Sequence, residues 1–376
     1  MILLRAVVVL CVMTVPAFAQ TPICESRGVS VSVDFEGGGR HTCSVAEDGE
    51  ILLGVVPEGM PINASPWYAF RLDPASPAHV QVTLDYGDYT HRYAPHISTD
   101  GRNWTDIAAA RVQIMAEGHR VRLSLDLPSG GHVIAAQPIE TAAATHAWAG
   151  DIATTIGLEA VTYGASVDGA PLVAYRGGEG SLIVALTRQH PPETTGALAF
   201  RAFVERLAAD DAEATAFRAA HRLLLAPLPN PDGVRHGHWR WNNAGMDLNR
   251  DWRDFSQPET RALRDLIQDE AAPSRAVVML DFHSTQRNSI YAPPLDADAI
   301  DIDFLLVLRT HLDAAITDPP RWSYSHGEDG VTAKRWALSA LHAPGLTIEI
   351  ADDASDEEAR LIGRTVAEAV IAYGAQ

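Results

Sequence analysis

The pattern of apolar and polar positions changes character partway along the chain. From residue 21 to about 130 the two alternate with period two, as in "HVQVTLDYG" (79–87) and "HRVRLSLDLPSGG" (119–131). That alternation predicts half-buried strands. Turn-forming clusters, "EGGG", "SPAH", "STDGRN" and "PSGG", separate the runs. Many short strands at this spacing predict a β-sandwich. An alanine-rich stretch follows, and beyond it short, wholly apolar runs ("SLIVALT", "RLLLAPL", "AVVMLDF", "GLTIEIA") alternate with helical spacing. Residues 195–209 place Leu198, Phe203 and Leu207 at helical intervals. A second helix is predicted with Ser256 as N-cap and Pro258 in its first turn. Ser355 and Glu358 read as the capping box of a third. Strands alternating with helices predict an α/β sheet covered on both sides. The expected division is a β-sandwich over 20–132 and an α/β domain over 133–376.

The first residues stand apart from both patterns. Arg5 precedes an apolar run over 6–15, and "AFA" at 17–19 supplies a small-x-small cleavage signal. Residues 1–19 are therefore expected to be a signal peptide, with the mature chain exported to the periplasm or secreted. No later stretch is long and apolar enough to span a bilayer, so no stable membrane insertion is expected after cleavage. Cys11 leaves with the signal. Cys24 and Cys43 form an even pair in an oxidising compartment, where a disulfide is expected. Closing a loop of that size would stabilise by roughly 3 kcal/mol. The formal charge of −19 argues against a nucleic-acid partner.

With the cysteines accounted for, no thiol is left for a metal or nucleophilic site, and the reactive candidates are histidines and acids. In "LIVALTRQHPPETTG" (182–196), two prolines separate His190 from Glu193 just after an apolar run. Proline fixes φ and pushes the residue before it out of the helical region. The segment reads as a strand ending in a rigid corner. His283 follows "AVVMLDF", and Glu349 lies in "GLTIEIADD". Binding groups of open α/β sheets gather outside the carboxyl ends of strands. Two histidines and one carboxylate form the ligand set of a hydrolytic zinc site, and a further carboxylate serves as general base. Between them, "PNPDGVRHGHWRWNNAGMDLNRDW" (229–252) brings Arg240, Asp247, Asn249 and Arg250 close together. Paired arginines with an asparagine suit a carboxylate clamp, because guanidinium is planar and always charged.

These segments resemble a zinc carboxypeptidase of the carboxypeptidase A type, in the branch that includes the cytosolic carboxypeptidases. The matching motifs are "HPPE", "NPDG", "RWNNAGMDLNRDW", "DFHS" and "TIEI", in that order. The resemblance implies a mixed central sheet flanked by helices and one zinc ion per chain. It implies His190, Glu193 and His283 as zinc ligands. Glu349 would deprotonate the attacking water and pass the proton to the leaving amine. Arg240 would polarise the scissile carbonyl, and Asn249 with Arg250 would grip the terminal carboxylate of a peptide or protein. Asp247 would accept the free imidazole N–H of His190. Tyr324 is the nearest match to the mobile tyrosine of the family, and Tyr291 reads as pocket wall or core. His326 and His342 read as polar surface or pocket groups. Counting back from Glu349 to the specificity pocket reaches Lys334, with Arg335 beside it, which implies a preference for acidic C-terminal residues. The alternatives are a zinc amidase acting on cell-wall peptides or N-acyl amino acids, and a binding protein that retains the fold without catalysis.

Overall fold

A computed structural model of the chain describes residues 21–272, 276–295, 302–325 and 331–374. The expected signal peptide and His326 lie outside these. Among the described residues no helix is long and apolar enough to cross a membrane.

The first part of the chain folds as two packed sheets, of six and five strands among the described residues. Ala78–Asp85 pairs antiparallel with Arg120–Leu127, setting Val80 opposite Leu125, Val82 opposite Leu123 and Leu84 opposite Val121. All six are buried, so the period-two alternation is the inner face of a sandwich. A disulfide joins Cys24 to Cys43, with Cα atoms 5.9 Å apart, and thereby ties one sheet to the other. The strand His132–Ala135 still pairs with Ala69–Pro74 inside this unit. The change of architecture therefore comes after Ala135, a few residues beyond the expected division.

The second part carries one mixed sheet. Its strands are β1 (Glu159–Ala165), β2 (Pro171–Gly177), β3 (Ser181–Thr187), β4 (His221–Ala226), β5 (Ala276–Thr285), β6 (Ser289–Ala292), β7 (Arg321–Tyr324) and β8 (Gly345–Ala351). Their spatial order is β1-β2-β4-β3-β5-β8-β6-β7. The central four, β4-β3-β5-β8, are mutually parallel, with antiparallel neighbours on each side. Parallel strands buried on both faces read as continuous apolar runs, as these do. One face packs on the helices Thr194–Leu207, Ile302–Ala315 and Asp356–Gly374, through Phe200, Phe203, Phe282, Ile348 and Ile350. The other packs on Pro258–Ala271 and Ala333–Trp336. There Leu182, Val184 and Leu186 of β3 meet Trp252, Leu263 and Trp336.

One helix start differs from expectation and another keeps its expected cap. Gln257, not Ser256, precedes the helix Pro258–Ala271, because Asp251 takes both the backbone N–H and the hydroxyl of Ser256 and keeps it in the loop. Ser355 does cap the last helix, accepting the N–H of Glu358. The Glu358 carboxylate, however, receives the amide of Asn288.

Candidate active site

The carboxyl ends of β3, β5 and β8 meet at one place. Leaving β3, Arg188 takes a left-handed conformation (φ 59°), a strained geometry for a residue with a side chain. The buried corner of Pro191 and Pro192 follows, and Glu193 stands directly before the helix Thr194–Leu207. That helix sits on the end of β5 so closely that a Cβ at Gly196 would come 2.3 Å from the His283 carbonyl oxygen. Only glycine permits the approach. Ser284 accepts hydrogen bonds from the Gly196 N–H and the Thr195 hydroxyl, both 2.8 Å, which locks together the segments that carry Glu193 and His283.

His190, Glu193 and His283 converge as a result, all buried. His190 Nδ1 lies 2.8 Å from Glu193 Oε1, and His283 Nδ1 lies 2.7 Å from Glu193 Oε2. The two Nδ1 atoms are 3.2 Å apart. The far nitrogen of each ring is held by a carboxylate: His190 Nε2 is 2.9 Å from Asp247 Oδ1, and His283 Nε2 is 2.7 Å from Asp281 Oδ2. With each Nε2 donating its hydrogen there, both Nδ1 atoms present lone pairs to the same point as the Glu193 oxygens. Acceptors converging without a donor need a proton or a cation between them, so the residues fit zinc. Without an ion the cluster attracts a proton. Burial disfavours charge on His283, yet Asp281 and then Glu193 raise it well above the usual histidine value. Burial would likewise push Glu193 up, but His190 and His283 hold it far below the usual carboxylate range.

Glu349 stands beside this group. It is the register partner of His283 on the adjacent parallel strand, so the two side chains share a face of the sheet. Its Oε2 is buried with no hydrogen-bond partner among the described residues. Burial pushes its carboxyl up to about 7, against the pull of His283.

The loop between the candidate ligands supplies the remaining groups. Asp247 is a hub: Oδ1 accepts from His190 and from the Asn249 N–H, and Oδ2 accepts from Arg240 Nε at 2.6 Å. Asn249 Oδ1 accepts the Ala333 N–H at 3.0 Å, while its Nδ2 lies 3.3 Å from His283 Nε2. Because that nitrogen gives its hydrogen to Asp281, the Asn249 amide hydrogens stay available. Arg250 is exposed, its Nη1 donating to the Asn249 carbonyl.

Lys334 is buried one residue beyond the Ala333 amide that Asn249 holds. Its Nζ donates to the carbonyls of Ser325 (3.1 Å) and Ala292 (3.4 Å). Among the described residues no carboxylate pairs with it. Burial, then the charge of Arg335, pull it down to about 8. Arg335 itself is half-buried.

Tyr324 is not brought to this group. Glu349 pairs with Ser289, and Ala292, three residues along β6, pairs with Tyr324. An odd step along a strand reverses the face, so Tyr324 lies on the opposite face from Glu349. There it stacks on Trp322, with ring centroids 5.7 Å apart, and bonds Arg309. Tyr291, two residues from Ser289, shares the Glu349 face and is 37% exposed, which excludes a core role. His342 is exposed at a helix end in a left-handed conformation.

Asp281 escaped the sequence reading. It lies two before His283 on one strand, hence on the same face, and that spacing is visible in "LDFHS". Lys334 carries a compositional signal beyond its distance from Glu349: it is the one lysine in the chain, against 28 arginines.

A model of the zinc carboxypeptidase family matches residues 158–355. Among curated proteins, cytosolic carboxypeptidase 2 of Danio rerio is 34% identical over 113 residues, 29% of this chain and 16% of that protein. Cytosolic carboxypeptidase 6 of Caenorhabditis elegans is 30% identical over 112 residues, 28% of this chain and 24% of that protein. The match thus spans only a small part of these relatives. Among solved structures, a metallo-carboxypeptidase from Burkholderia cenocepacia superposes with a TM-score of 0.77 at 19% identity, covering 92% of this chain and 98% of the other. One from Pseudomonas aeruginosa gives 0.73 at 22% identity, covering 91% and 98%. At these identities the likeness is one of fold, and it extends over the sandwich as well as the α/β domain.

Proposed function

The chain belongs to the zinc carboxypeptidase family, and from that premise we propose that it hydrolyses the C-terminal peptide bond of peptides or proteins. The observation that carries this reading is the convergence of two imidazole Nδ1 atoms and the Glu193 carboxylate, with each far imidazole nitrogen fixed by its own acid. His190, Glu193 and His283 would hold one zinc ion. Bound zinc supplies Lewis acidity and lowers the pKa of water. Glu349, with Oε2 left open by the described residues, takes a proton from the attacking water and delivers it to the leaving amine. Arg240, steadied by Asp247, stabilises the oxyanion. Arg250 and the Asn249 amide hold the terminal carboxylate, which confines cleavage to the last bond.

The buried charge of Lys334, without a carboxylate partner among the described residues, supports a preference for acidic C-terminal residues. Export is part of the proposal. The composition of residues 1–19 and the disulfide joining the two sheets support it. N-terminal sequencing of the protein from a periplasmic or culture fraction tests that part.

The activity is tested on one sample of known metal content, with linear peptides, cell-wall tripeptides and N-acyl amino acids as substrates. Release of the last residue from linear peptides is expected to dominate. Dominant hydrolysis of either other class would assign the site to an amidase, and no hydrolysis of any would leave a binding protein.

A further inference from the structure

The sandwich sends one carboxylate across to the catalytic loop. Glu58 Oε2 accepts the N–H of Trp239 at 2.8 Å, and its Oε1 accepts those of Arg240 at 2.8 Å and Trp241 at 2.7 Å. Successive backbone N–H groups aimed at one point make an anion-binding concavity. Here the anion comes from the other unit of the same chain. The neighbours of Arg240 are gripped as well. Trp239 is buried in the sandwich core, with Tyr89 edge-on at 5.1 Å between centroids. Gly59 lies so close to Trp241 that a Cβ there would stand 2.2 Å from its ring. The Arg240 side chain meanwhile reaches Asp247, which also holds His190.

We propose that Glu58 is a positioning residue for catalysis, fixing through three consecutive amides where the Arg240 guanidinium stands relative to the metal-binding group. This rests on the role given to Arg240 above. It also gives the sandwich a part in the reaction, since its removal would release the loop that carries the oxyanion-stabilising group. Bonds to backbone amides orient a segment without contacting substrate, so the effect should fall on kcat rather than KM.

The test is a double-mutant cycle on the full-length, zinc-loaded protein with a free-acid peptide. Glu58→Ala should lower kcat by about 10- to 100-fold with KM and zinc content little changed. In an Arg240→Ala background the same change should alter kcat by less than about 2-fold, because the group it positions is gone. Glu58→Gln, which keeps the shape and one carbonyl acceptor, should lie between parent and Glu58→Ala; it carries the same cycle if the alanine variant does not fold. Equal losses in both backgrounds, or parental kcat in both Glu58 variants, would overturn the proposal and leave Glu58 as a contact between units. If Arg240→Ala alone turned over like the parent, the catalytic reading of Arg240 and this inference would fall together, while the metal and clamp assignments would stand.

Discussion

His283 and Glu349 are register partners on adjacent parallel strands, so the hydrogen bonds of the sheet fix a candidate metal-binding imidazole beside a carboxylate whose Oε2 is buried. The backbone holds both, and a change at one side chain should leave the other in place. Glu349→Gln is therefore expected to retain about one zinc per chain while kcat falls by about 10² to 10⁴. Normal turnover of this variant would reduce Glu349 to a structural acid at a strand end.

Metal-free protein should be inactive and recover on addition of zinc. Because His283 is raised well above its ordinary value without an ion, zinc must displace a proton. Zinc affinity should therefore increase with pH, with proton release measurable by calorimetry in buffers of different ionisation enthalpy. Activity in rigorously chelated protein would remove the metal from the mechanism.

Asp281 holds the far nitrogen of His283 and also receives the Gln189 amide at 2.7 Å. Asp281→Asn should weaken zinc binding by about 10- to 100-fold in chelator competition. Unchanged affinity would mean that Asp281 serves only the interior packing of β5.

Removal of the proposed carboxylate clamp should be seen in substrate as well as protein. A peptide amidated at its C-terminus should be a poor substrate for the parent, and Arg250→Ala should narrow the gap between acid and amide forms. Equal kcat/KM for the two forms with the parent enzyme would exclude the clamp.

Lys334 predicts a pH-dependent preference. Its folded value is lowered to about 8, so the positive charge is present near neutrality and lost as pH rises through that value. kcat/KM reports groups of the free enzyme. For a peptide ending in Glu it should decline above about pH 8 more steeply than for one ending in Leu, and Lys334→Ala should abolish the difference. Parallel profiles for both peptides, unchanged in the variant, would leave the pocket unassigned.

Much of the site was legible because its chemistry lies in short segments. "HPPE" carries two candidate ligands within one corner, and "DFHS" and "TIEI" each end a strand whose apolar run announces it. What the chain hides is pairing between distant segments. Resemblance finds Tyr324 but not its face, which the register of β6 decides. Spacing finds Ser256 but not Asp251, which removes it from the helix start. Glu58 is 182 residues from Arg240 and carries no local mark of their contact.

A solitary lysine turns the proposed pocket into an addressable position. Every other basic side chain in the protein is an arginine or histidine, so apart from the α-amino terminus, amine chemistry has one target. Reductive methylation with isotope-enriched formaldehyde would install a single side-chain NMR reporter at Lys334. Its resonance would test the proposed contact with an acidic peptide directly, with no mutation and no need to follow turnover.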